Sequence, residues 1–421
     1  MNDHDAPQLV RTFTALIGES RIRAPRGRET RAASIIAEPR DAREVAEIIR
    51  KCEADAVTLA PIGAGRTLAE MRPVPVAVGV SLAHMAAIIA YEPDDMTIIA
   101  EPGLTLAALN RQTAQHGQHL PADPPHPELA TLGALIGAAH AGPMRHAEGT
   151  VRDLLIGVRF AGHSGRLVHG GGRVVKNVAG YDLMKVMTGS FGTLGVITET
   201  TFKVRPIAEQ YAFAFAAYGD VASACAAAAQ IHHAAALAHL EVASPAASRA
   251  IGLRGGFTVI AGLGGSNAEV AELSARALSM LAPAAKIVTG AEAIAARERL
   301  RDCDFADAAI VALIAVPPAE LARCLEPAEV EFVAHAGCGV ARISLSSGAN
   351  PAEARAALAR IRTTVGAAGG NLRVLRAASE IRTGLEFFDQ PPRAAFALMK
   401  TLKRTFDPHG VFNPQCFVGG L

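Results

Sequence analysis

Between Gly172 and Glu199 the chain reads GRVVKNVAGYDL and then, after one amphipathic turn of Leu183, Val186 and Met187, TGSFGTLGVITE. Glycines 170, 171, 172, 180, 189, 192 and 195 crowd this stretch. Glycine at that density is costly in regular structure, because each one loses more backbone freedom on folding than any other residue. The backbone here must do something that side chains would obstruct, either positive-φ turns or a close approach to a large ligand. Composition alone also allows a conformationally demanding surface loop.

A chain of 421 residues, half of them hydrophobic, can bury a large core and is expected to divide into two or more domains. Its formal charge of +1, without a basic stripe or charge block, gives no reason to expect nucleic acid or an anionic membrane surface. A small acidic substrate remains open through local arginines. The start, Met1-Asn2-Asp3-His4-Asp5, is acidic where a signal peptide needs a basic start and an apolar run, so a cytoplasmic location is expected. The most apolar span, from Val221 to Leu240, is interrupted by Gln230, His232, His233 and His239. It reads as a packed helix begun by an N-cap at Asp220, and no direct membrane span is expected. The six cysteines are scattered without a CxxC pair, which argues against zinc and against an iron–sulfur cluster. No metal is expected, and electrons gathered here would need another carrier.

Asp41 to Glu44 offers a capping box before Val45, Ile48 and Ile49 at helical spacing. Val57 to Ala60 reads as a buried strand emptying into Pro61, Ile62, Gly63, Ala64, Gly65, Arg66 and Thr67. That is a phosphate-cradle arrangement, in which closely spaced N–H groups converge on an anion, although a plain turn explains it too. Strands are expected at 76–80 and 96–100, with Thr105 capping a helix to about Gln115. No GxGxxG follows the first strand, which speaks against a Rossmann dinucleotide domain. Pro121, Pro124 and Pro125 fix an extended approach to Thr131, which can cap a short apolar helix. Residues 154–158 and 166–169 read as a hairpin.

After Arg205-Pro206 the composition shifts to alanine. The pattern becomes strand 212–217, helix 220–238, strand 257–262, helix 266–281 and strand 308–316. Gly262 to Ser266 fits either a phosphate loop or a tight strand-to-helix turn. His335, Arg342, Arg373, Arg376 and Arg382 follow in the last third. Arginine forks suit a carboxylate and histidine can take a proton from a 2-hydroxyl group, but most of these residues read as surface charges. No histidine sits in a recognisable catalytic motif.

The run from Gly172 to Pro206 resembles the C-terminal half of the FAD-binding domain of the vanillyl-alcohol oxidase / PCMH-type flavoprotein superfamily, and within it the FAD-binding subunits of glycolate oxidases. The resemblance implies an α+β fold, with a two-subdomain PCMH-type FAD-binding domain and an α+β cap domain. It places an N-terminal extension at 1–27, the FAD-binding domain at 28–208, the cap at 209–378 and a segment returning to the FAD domain at 379–421. Pro61 to Thr67 then matches the first pyrophosphate loop, with Ala64 replacing its middle glycine and Arg66 intruding. No histidine stands there for a covalent link, so FAD should be non-covalently held.

Pro124, Thr131, Leu132, Gly133 and Ala134 match the second FAD segment, in which Ala134 replaces a usual glycine and Ala139 a usual asparagine. Gly142, Gly149 and Asp153 continue it. Asn177 belongs to the loop expected against the isoalloxazine, and Gly195, Val196 and Ile197 to the strand whose backbone holds the adenine end. Asn413 belongs to the family's closing motif, where Gln415 stands in place of the usual glycine. Tyr181, Lys176 and Arg145 are the expected catalytic residues, the two cations stabilising the anion formed when the ring accepts a hydride.

On this resemblance the chain oxidises a small 2-hydroxy acid, glycolate to glyoxylate, within a complex containing a sister FAD subunit and an iron–sulfur subunit. The altered glycines and the missing catalytic histidine keep a second reading open, a non-catalytic flavin-binding assembly or electron-relay subunit beside a catalytic sister. A stand-alone oxidase using oxygen ranks third.

Overall fold

The computed structural model describes residues 6–65, 76–173, 180–253, 255–326, 330–346 and 350–421. Two sheets build the N-terminal half. In the first, β1 (Ile22–Arg23), β2 (Ala33–Ala37), β3 (Leu59–Ile62) and β4 (Val76–Ser81) lie in the order β1-β2-β4-β3, with β4 parallel to both β2 and β3. The parallel crossover from β2 to β3 runs through the helix Ala42–Ala54, which Asp41 caps by accepting from the Glu44 amide. Val45, Ile48, Ile49 and Cys52 of that helix are buried against β3 and β4.

The second sheet has β5 (Ile88–Glu92), β6 (Thr97–Ala100), β8 (Leu155–Ala161), β9 (Leu167–Gly171) and β10 (Val196–Lys203) in the order β5-β6-β10-β8-β9, all antiparallel. The expected hairpin is β8 and β9. A two-stranded ribbon pairs β7 (Gln118–His119) with β11 (Arg205–Pro206).

The C-terminal half is one eight-stranded antiparallel sheet, ordered β15-β12-β14-β13-β17-β18-β16-β19. Its strands are β12 (Gln210–Tyr218), β13 (His239–Ala243), β14 (Phe257–Gly265), β15 (Lys286–Thr289), β16 (Ile310–Ala315), β17 (Val330–His335), β18 (Val340–Leu345) and β19 (Asn371–Ala377). Alternation along β12 divides the sheet's two faces. Ala212, Ala214 and Ala216 point to the helices Val221–Ala234 and Asn267–Met280, where small side chains let helix and sheet approach closely; Tyr211, Phe213 and Phe215 point the other way. Asp220 and Ser266 cap those helices as expected, Ser266 with Glu269 in a capping box. The glycines of Gly262 to Gly265 are part of β14, so they form a strand and not a phosphate loop. Among the described residues no helix is long and apolar enough to cross a membrane.

The last segment returns to the N-terminal half. After the helix Arg393–Phe406, the Leu59 amide donates to the Val411 carbonyl and the Asn413 amide to that of Leu59, which lays the tail along β3. Asp407 holds this turn, accepting from the amides of Val411 at 2.8 Å and Phe412 at 3.0 Å and from Lys403 Nζ at 2.6 Å. Lys403 also donates to the carbonyls of Thr193 and Phe412, both at 2.8 Å. Burial lowers the lysine's pKa and Asp407 opposes that shift. Asp407→Ala would leave a buried ammonium and two amides without their acceptor, so the chain should lose about 3 kcal/mol of stability in urea unfolding. Residues 407–421 should also become the first protease-sensitive segment.

Candidate functional site

A cavity of about 1040 Å³ lies where the two halves meet. One wall comes from the N-terminal half. Pro61, Ile62, Gly63, Ala64 and Gly65 leave β3, the helix Leu132–Gly137 faces them with Gly133 and Ala134, and Ser190, Phe191 and Gly192 close the side. Thr131 caps that helix by accepting from the Ala134 amide, as its sequence position predicts. The opposite wall comes from the cap sheet and the segment after it, including Val311, Arg342, Leu375, Arg376 and Arg382.

Bare backbone allows this approach. A β-carbon on Gly63 would overlap Thr131 Oγ1, and one on Gly192, whose φ is +68°, would overlap Pro61 Cγ. The demand for glycine in the 170–195 stretch is here a demand for contact between its loop and the strand-to-loop turn at Pro61. Phe191 carries the link further. Its carbonyl accepts from Asn413 Nδ2 at 2.7 Å, and its ring meets Phe388 and Phe417 with centroids 5.6 and 5.5 Å away. The Arg373 guanidinium lies 5.3 Å from the centre of the same ring.

Of the residues singled out from sequence, Pro61, Ile62, Gly63, Ala64, Gly65, Pro124, Thr131, Gly133, Ala134, Gly195, Ile197 and Asn413 line this cavity. Leu132 and Val196 belong to the same two segments, but their side chains are buried in hydrophobic core. Gly142, Gly149 and Asp153 stand outside the lining: Gly142 packs on the Asp123 backbone, and Asp153 completes a capping box with Thr150 in which Gly149 is the preceding residue. Tyr181 is 90% exposed and also outside the lining. Arg145 opens a short helix against the cap; burial lowers the His335 pKa and raises that of Cys338, and the Arg145 charge adds to the first shift and opposes the second. Arg66, Thr67, Lys176 and Asn177 lie outside the described residues.

A second constellation, outside the cavity's lining, had no motif to announce it. Tyr211, His239, Glu241 and His335 lie on the aromatic face of the cap sheet, on β12, β13 and β17. Tyr211 Oη meets His239 Nε2, His239 Nδ1 meets Glu241 Oε2, and Glu241 Oε1 meets His335 Nδ1 at 3.2 Å. Glu241 and His239 are wholly buried and His335 keeps 6% exposure. A β-carbon on Gly262 would fall on the His239 ring, so the glycine opposite makes its place. Burial would push the Glu241 carboxyl up, but the two imidazoles outweigh it and bring it down to about 2.

Two family models match the chain, "FAD binding domain" over residues 33–171 and "FAD linked oxidases, C-terminal domain" over residues 207–416. The chain therefore belongs to the FAD-linked oxidases, with an α+β fold and FAD as its cofactor. Among its relatives, glycolate oxidase subunit GlcE of Escherichia coli K12 is 43% identical over 120 residues, 28% of this chain and 34% of the relative. Glycolate oxidase subunit GlcD of Bacillus subtilis 168 is 29% identical over 187 residues, 44% of this chain and 40% of the relative. The matched stretches thus span about a third to two fifths of these relatives. The crystal structure of p-cresol methylhydroxylase with substrate bound shares the fold at a TM-score of 0.73, with 15% identity, covering 97% of this chain and 96% of that one.

The cradle fits FAD in kind. Gly63, Gly65, Gly133 and Gly192 offer backbone without side chains, and the cavity is deep enough to take a large cofactor. Gly192→Val, which drives a branched side chain into Pro61 at a left-handed backbone position, should purify with several-fold less flavin per chain while retaining its far-ultraviolet circular dichroism. The ratio of flavin to protein absorbance reads this directly, and a variant with full flavin would show that the Phe191–Gly192 contact does not shape the cradle.

Proposed function

We propose that this chain is the FAD-bearing subunit of a dehydrogenase for small 2-hydroxy acids, of which glycolate is the simplest, and that it hands electrons to an iron–sulfur partner in a complex with a sister flavoprotein. The observation that carries this reading is a cavity in which the glycine cradle faces Arg342, Arg376 and Arg382 of the cap half. Guanidinium groups bind carboxylates through paired N–H donors. Arg376 is braced by donating to the carbonyls of Ala306, Asp304 and Phe305, and Arg342 by donating to that of Cys303 at 2.8 Å, so neither is a loose surface charge.

Bound FAD would supply the two-electron acceptor. The chain's own work is to anchor the acid's carboxylate on the arginine wall, to keep water from the cavity and to take the hydroxyl proton. Noncovalent attachment follows from the absence of a histidine in the turn 61–67. The curated relatives include both GlcE and GlcD, named as separate glycolate oxidase subunits, which favours a sister flavoprotein as partner. An iron–sulfur carrier is proposed because the six cysteines are scattered along the sequence without a CxxC pair.

Anaerobic addition of glycolate should bleach the flavin absorption of the purified chain. Flavin bands that persist with glycolate and with other small 2-hydroxy acids would assign the oxidation to the sister subunit and leave this chain as a relay. Arg342→Met should keep its flavin and need about 10- to 100-fold more acid for half-maximal bleaching, the loss expected for one charge-assisted contact.

A further inference from the structure

We infer, resting on the electron hand-off proposed above, that the helix Arg393–Phe406 is the docking face for the electron-accepting partner, a protein whose iron–sulfur centre lies beneath an acidic surface. The helix is amphipathic, yet none of its 14 residues is buried. Phe396, Met399, Leu402, Lys403 and Phe406 turn inward and are half-buried, while the rest are exposed, Leu398 by 61%. Arg393, Lys400 and Arg404 stand at i, i+7 and i+11, which aligns them in one column along the outward side. Lys400 Nζ is held 4.4 Å from the centre of the Phe396 ring. Ala394, Ala397 and Thr401 lie beside the column and Leu398 beyond them, so the face has an apolar strip with a cationic edge. Between Gln390 and Gly410 the sole acid is Asp407, which is buried and paired with Lys403. On a chain of formal charge +1, a helix charged in one sign alone is a local field that complements an acidic surface.

The helix also stands where electrons have little protein to cross, and electron transfer slows steeply with that thickness. Ser190, Phe191 and Gly192 line the cavity. From the helix, Lys403 Nζ reaches the Thr193 carbonyl at 2.8 Å, and the Phe396 ring fills the place of a β-carbon on Gly419. Two residues before Gly419, the Phe417 ring meets that of Phe191 with centroids 5.5 Å apart. One layer of side chains therefore separates the lining from a helix about 10 Å across. Behind β3, and behind β16 and β19, a whole sheet and then a helix intervene. Oxidation of one acid releases two electrons and two protons. The protons go to water and each iron–sulfur centre, as the oxidant, takes one electron, so two partner reductions balance one acid. A lipid surface fits this face less well, because Phe396, Met399 and Phe406 turn inward and leave Leu398 outside.

Rubredoxin, a small acidic iron–sulfur protein, and cytochrome c, a basic haem protein of similar size, serve as probes. A carbodiimide, which joins amines to carboxylates in direct contact, should link oxidised rubredoxin to the chain chiefly through Lys400 among the seven lysines, and the link should vanish at high salt. The holoprotein, reduced with dithionite, should reduce rubredoxin at a rate that falls at least about tenfold between about 20 and 200 mM salt, and cytochrome c at a rate that does not fall. Replacing the exposed cations together (Arg393→Gln, Lys400→Gln, Arg404→Gln) should slow the first at least about tenfold, leave the second no slower, and keep both the flavin content and the bleaching by glycolate.

Cross-links spread evenly over the lysines, with a rate indifferent to salt, would overturn the inference; where glycolate still bleaches the flavin, the dehydrogenase reading stands. A wild-type dimer that the triple variant dissociates would overturn it too, by giving the face to a second copy. So would binding to phosphatidylserine vesicles through the same cations. A chain bleached by no small 2-hydroxy acid that still links through Lys400 and, once reduced, passes electrons with the stated salt dependence keeps the docking face and loses the dehydrogenase.

Discussion

The buried pair of Lys403 and Asp407 holds the candidate site together although neither residue lines it. Lys403 donates to Thr193 in the glycine loop and to Phe412 in the tail, and Asp407 gathers the amides at the tail's turn. Three segments far apart in sequence, β3 with its turn, the loop 190–195 and the tail 411–413, are fixed to one another through it. The geometry of the Pro61–Gly65 cradle is therefore a property of the whole chain. A charge pair so enclosed is stabilising only because its hydrogen bonds are complete, which makes it a poor candidate for tolerated change.

Across the cavity the cap sheet supplies a face whose character is set by simple alternation. One side of each strand is given to alanine, valine and leucine under helices, which leaves the other side free to carry Tyr211, His239, Glu241, His335, Arg342 and Arg373 toward the N-terminal half. Strands whose second face meets protein instead of water can hold polar side chains there only if each finds a partner. Glu241 finds two imidazoles, Arg342 the Cys303 carbonyl, and Arg373 both the Ala138 carbonyl at 3.4 Å and the Phe191 ring. The sheet thus docks through the same groups that give the site its chemistry.

What could be read in the sequence was local. Asp41, Thr105, Thr131, Asp220 and Ser266 each cap a helix at the expected place, because a cap needs only its own next three residues. The turn at Pro61–Gly65 was legible for the same reason. The helix expected over 220–238 ends at Ala234, and the chain turns instead into β13, whose pattern His239-Leu240-Glu241-Val242-Ala243 looks like a half-exposed strand yet is buried throughout. Nothing within that window says that Tyr211, 28 residues earlier, and His335, 94 residues later, meet it. His335 and the arginines looked like surface charges for the same reason, since their burial comes from docking. Tyr181, singled out by its motif, stands at the surface.

The seam between the halves also makes the electrostatics a joint property. Arg145 comes from the N-terminal half and Arg342 from the cap, and both act on His335, while His146 packs its ring against His232 at 5.2 Å and fills the space left by Gly337. The β-carbon missing at Gly337 is what lets a residue of one half enter the other. An imidazole whose environment is completed by both halves has its working pKa only when they are docked, and Arg373 on Phe191 couples that docking to the glycine loop. Cradle and cap are in this sense one arrangement. A change that loosened the cap would alter His335 even without touching a residue on its own strand.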